Sequence, residues 1–174
     1  RDGAHCDVLF TMAEQHFHAE EVDTDASPLL NDYGYDDYQK DFKALAKAAS
    51  PYVKTIEILN GPGTTNHPIG KVEARHEPDY LFYLNQGFKV APTADQDNHF
   101  DHWGKLSFAR TGIWAPTLNR QEIYNALRQR RVFATEDTNL SLMFRLNQHP
   151  MGEEFKTSRD MNFEVTVQDK DEPQ

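Results

Sequence analysis

Residues 87–104 read GFKVAPTADQDNHFDHWG. The apolar run FKVAP, 88–92, predicts a buried strand. It gives way to Asp95, Asp97, His99, Asp101 and His102. In open α/β sheets and in barrels, ligands gather beyond the carboxyl ends of strands, and Asp97 and His99 stand just past such an end. A D-x-H pair offers one hard oxygen and one imidazole nitrogen, a donor set that suits Zn, Mn or Fe. The same residues also read as a solvated loop whose aspartates cap nearby backbone. Spacing alone leaves both readings open.

The spacing of Tyr38, Phe42, Leu45, Ala46 and Ala49 predicts a helix from Asp36 that Ser50-Pro51 ends. VKTIEIL, 53–59, is rich in β-branched residues and is closed by the turn signal Asn60-Gly61-Pro62-Gly63. A short helix is expected over 79–86, with Gly87 as its C-terminal glycine. LSFARTGIWAP, 106–116, reads as a strand that stops at Pro116.

LNRQEIYNALRQRR, 118–131, is the clearest helix. Asn119 with Glu122 fits an N-cap, Ile123 and Leu127 share a face, and Arg128, Arg130 and Arg131 oppose the dipole. VFAT, 132–135, follows as a strand. Leu140, Leu142, Phe144 and Leu146 alternate, as do Met161, Phe163, Val165 and Val167; both runs predict half-buried antiparallel strands. The alternation of strand and helix up to residue 135 predicts an α/β domain over 1–138, and 139–174 reads as an antiparallel β appendage.

Composition bounds the function. The 174 residues suit one domain with a small appendage, and 38% hydrophobic content supports a core. A net charge of −10 argues against a general nucleic-acid binder, which needs basic patches, and suits divalent cations. No apolar run reaches the ~20 residues of a membrane span, and no signal-peptide pattern opens the sequence. An opening Arg in place of Met predicts a processed or excised piece. The single cysteine, Cys6, excludes an internal disulfide framework and lacks an activating partner in sequence.

Several blocks match one family in order: IEILNG at 56–61, the glycine-led strand into QDNH at 96–99, RTGIWAP at 110–116, RRVFATED at 130–137 and the PMG turn at 150–152. Over about residues 50–155 the chain resembles the C-terminal half of PHP-domain proteins, and within them the CehA/McbA-like metallohydrolases. The resemblance implies a distorted (β/α) barrel, here incomplete, with metal ions at the carboxyl ends of its strands. It makes Asp97 and His99 metal ligands, since D-x-H is the family's last motif. The family's opening H-x-H has its counterpart in QHFHAEE, where His16 and His18 alternate toward one side of a strand. DGAHCDVLFT, with His5 and Asp7, is the other remnant of that motif. Ser27-Pro28 stands where relatives often carry a His-Pro ligand.

Glu57 ends a strand in the same direction as Asp97 and suits a catalytic or ligand-orienting carboxylate. His102 is placed to contact substrate or protonate a leaving group. Arg110 is the candidate for pairing with an anionic substrate, and a structural salt bridge is its alternative. His67 and His76 lie in a loop that would cover the site. The implied function is hydrolysis of a phosphoester by metal-activated water, with amide or carbamate cleavage as the variant in the CehA/McbA branch. The expected ligands are divalent Zn, Mn or Fe ions and a small anionic or ester substrate. The expected partners are further strands from this or another chain; exported relatives suggest a secreted or extracytoplasmic setting. The alternatives are a catalytically lapsed PHP-like binding or structural module, and a fragment of a larger hydrolase.

Overall fold

A computed structural model describes residues 42–44, 46–63, 69–157 and 160–171. Residues 42–44 and 46–49 are helical, the described part of the helix expected from Asp36. Its turn closes through Ser50, whose amide and hydroxyl both donate to the Ala46 carbonyl. β1 (Thr55–Asn60) follows and pairs antiparallel with the short β2 (Ala74–Arg75) and parallel with β3 (Ala91–Ala94). α1 (Glu77–Asn85) makes the crossover between the parallel strands.

Gly87 ends α1 as its spacing requires. The Gly87 amide donates to Leu84 O and the Phe88 amide to Tyr83 O, with Gly87 at φ +93°. That bond pair closes the helix with a left-handed residue, and the Tyr83 and Phe88 rings meet edge to face at 5.3 Å. The contact seeds the main core, in which Phe42, Ala46, Ile56, Tyr83, Phe88 and Val90 are all buried. Phe42 also meets Phe82 edge-on at 5.4 Å, a geometry worth about 0.5–1.5 kcal/mol beyond area burial. A second cluster of Leu59, Val72 and Ala109 covers the far end of β1.

The expected PHP-like (β/α) barrel is not what the chain forms. Among the described residues there are three small sheets, ordered β2-β1-β3, then β4 (Arg110–Ile113) with β5 (Val132–Thr135), then β7 (His149–Pro150), β6 (Ser141–Leu146) and β8 (Phe163–Gln168), and no closed barrel. Of the described strand pairs, only β1 and β3 run parallel. The decisive departure is at β4, α2 (Arg120–Arg128) and β5. A barrel needs this strand–helix–strand unit to be a parallel crossover, but β4 and β5 are antiparallel, with Ile113 opposite Val132. The physical reason lies in how α2 ends. The Arg130 and Arg131 amides turn back onto Leu127 O and Ala126 O, and Arg131 O then accepts from the Trp114 amide. The helix thus returns the chain to the end of β4 from which it left, and β5 must run backwards.

β3 packs beside this pair and is hydrogen-bonded to it through Thr111. The Thr111 hydroxyl donates to Ala94 O and accepts from the Ala94 amide, both at 2.9 Å. β6, β7 and β8 form the third, antiparallel sheet. The Trp114 indole ties it to the rest by donating to Leu142 O at 2.6 Å. The half-buried expectation does not hold for β8, which is exposed along all six residues. No helix among the described residues is long and apolar enough to cross a membrane.

Candidate functional site

The loop after β3 is built from short-range polar bonds. Asp95 Oδ1 accepts from the Gln96 and Asp97 amides, a turn characteristic of aspartate. Gln96 is buried, and its amide group is used at both ends: Nε2 donates to Ser107 O at 2.9 Å and Oε1 accepts from the Leu106 amide. Across the loop stands the turn that ends β1. The His99 amide donates to Gly63 O at 3.0 Å. A Cβ on Gly63 would lie 1.7 Å from Asp97 O, so only glycine lets the two turns meet. Asp97 itself is held at φ +45°, a left-handed conformation that an aspartate tolerates better than most residues.

This frame presents two side chains together. Asp97 Oδ1 and His99 Nε2 are 3.2 Å apart, with side chains 42% and 53% exposed. Two donors at ~2.0–2.1 Å from one tetrahedral ion are separated by about 3.3 Å, so the pair fits a shared metal. The same distance serves a carboxylate–imidazole hydrogen bond.

The other expected site residues fall elsewhere. Glu57 is buried on β1, opposite Thr93 in register, and accepts from Asn60 Nδ2 at 3.0 Å. Its neighbour Thr93 is also buried, and its hydroxyl has no hydrogen-bond partner among the described residues. His102 faces Asp101 loosely, Nδ1 to Oδ1 at 3.8 Å. Arg110 donates to Gly104 O, Ser107 O and Ala109 O, so its guanidinium ties the 104–110 loop together by carbonyls. His76 is 3.3 Å from Asp79 at the start of α1. His16, His18, His67, His5, Asp7, Cys6 and Ser27 lie outside the described residues. Among the described residues, no three His, Cys, Asp or Glu side chains converge as a metal cluster. Asp97 and His99 are brought together; Glu57 and His102 do not join them in such a cluster.

Sequence reasoning missed Gln96 and Gly63. Neither carries chemistry, yet both fix the loop. Their signal was local: a glutamine next to the D-x-H pair, and a glycine closing the turn of the neighbouring parallel strand. No protein-family model matches the chain, and no curated protein or solved structure matches it either.

Proposed function

We propose that Asp97 and His99 hold a divalent transition-metal ion, Zn, Mn or Fe, in a metal-dependent hydrolase acting on a small anionic or ester substrate, a phosphoester first. The single observation that supports this reading is the 3.2 Å pairing of a carboxylate oxygen and an imidazole nitrogen on a locked loop past a parallel strand. The activity is what the likeness to PHP metallohydrolases implies; the barrel of that family is not carried over. A bound ion supplies hydroxide near neutral pH and polarises the ester oxygen. The remaining ligands expected from sequence are His16 and His18. Glu57, buried within the neighbouring strand β1, is suited to orient water or a ligand, and His102 to meet the substrate from the loop's exposed side.

The second reading, a lapsed module that serves binding or structure, is favoured by the way Asp97 and His99 satisfy one another. The two separate on an activity assay. Hydrolysis of aryl phosphate mono- and diesters by the full chain is expected, abolished by a chelator and restored by Mn or Zn. Loss of about 10²-fold or more is expected in Asp97→Ala or His99→Ala. Turnover that survives chelation and both substitutions would defeat the metal reading.

A further inference from the structure

At the opposite end of the parallel strands, cations gather in a chain that is otherwise acidic. The Ala91 amide donates to Lys54 O at 3.0 Å, which sets Lys54, just before β1, beside Lys89, just before β3. Lys89 Nζ pairs with Glu154 Oε2, and Arg130 Nη2 reaches the other oxygen of the same carboxylate at 2.7 Å. Arg130 also donates to Gly152 O at 3.1 Å. Lys54 spends its ammonium on the Ser50 carbonyl. Burial, followed by the charge of Arg130 and opposed by Glu154, holds the Lys54 ammonium below the ordinary lysine range. Two cations therefore pair with one carboxylate, and Lys54 stands within Coulombic range of all three groups, although the chain carries 28 acidic residues against 18 basic ones.

The backbone supports a built arrangement. Arg130 occupies the left-handed position that ends α2, at φ +58°, where glycine is the ordinary choice. A non-glycine residue there costs energy that its surroundings must offset, and what the arginine gains is its reach to Glu154 and Gly152. Glu154 sits in a stretch without helix or strand, its side chain half exposed, so it can swing away.

We propose that Lys54, Lys89 and Arg130 form a binding site for a tetrahedral oxyanion, a phosphate or phosphomonoester, which Glu154 occupies as a built-in stand-in. Charge selects the class: a phosphate carries −1.5 to −2 near pH 7 and three acceptor oxygens, against the single charge and two oxygens of Glu154. The third oxygen meets Lys54, which the carboxylate leaves to a backbone carbonyl. The site lies roughly 16 Å of strand from Asp97 and His99 and does not depend on the metal reading.

The test is titration of the full, ¹⁵N-labelled chain with inorganic phosphate and with methyl phosphate, against chloride at equal ionic strength. Glu154→Gln is expected to bind phosphate about tenfold or more tightly than the parent, and Lys54→Ala in that background to lose about tenfold or more. Amide shifts are expected at Lys89, Arg130 and residues 152–154. Equal binding in parent and Glu154→Gln would overturn the stand-in. Shifts elsewhere, no saturation in Glu154→Gln, or indifference to Lys54→Ala and Lys89→Ala would overturn the site. Preference for methyl phosphate over the inorganic ion would assign a phosphomonoester; the reverse would assign free phosphate.

Discussion

Gly63 shows how much of a site can rest on a residue with no chemistry. Its missing side chain lets the Gly61-Pro62-Gly63 turn touch the backbone of Asp97, and its carbonyl takes the His99 amide. Gly63→Ala would drive a methyl into the Asp97 carbonyl, and neither backbone can yield without breaking its bonds. The expected cost is about 1–3 kcal/mol in denaturant unfolding, as for other overpacked positions. A cost under about 0.5 kcal/mol would show that the two turns are not in contact. At this scale the sequence was half legible. Asp97 and His99 announce themselves by residue type, and D-x-H spacing is enough to predict their proximity. The Arg110 guanidinium was not legible in the same way: it donates to loop carbonyls that no spacing reveals.

Elements were more legible than their arrangement. α2 begins where Asn119 and Glu122 say it should: the Asn119 side chain accepts from the Glu122 amide at 2.9 Å. Asn119→Ala is expected to cost about 1 kcal/mol by thermal or chemical unfolding, with the fold intact; no measurable loss would mean the cap bond is not formed in solution. The C-terminal alternation also pointed to two antiparallel strands, and they pair with each other. Leu142, Phe144 and Leu146 stand opposite Val167, Val165 and Phe163, so one face of the β6–β8 pair is wholly apolar. The burial expected of that face did not follow, with Phe163 56% and Val165 57% exposed. Period-two patterning tells which residues share a face; it does not supply the layer that covers them.

For the molecule as a whole, the misreading came from treating strand–helix–strand alternation as proof of a parallel crossover. Alternation fixes the order of elements and says nothing about the direction in which the chain returns. Direction was decided here by two amides at the end of α2 and by the Trp114–Arg131 bond, contacts with no signature in composition. The parallel pair β1–β3 survives as the organising unit, and it gives the molecule two chemically opposite ends. Carboxylate and imidazole stand at its carboxyl end, and lysines with an arginine at its amino end.

The central claim, that Asp97 and His99 share a metal ion, is tested most directly by elemental analysis of the full chain purified without chelator, beside an Asp97→Ala/His99→Ala variant. One or more Zn, Mn or Fe per chain, lost in the variant while its unfolding transition persists, is the expected result. No metal in the parent, after exposure to each of the three ions and dialysis, would contradict the account and leave the pair as a hydrogen-bonded loop.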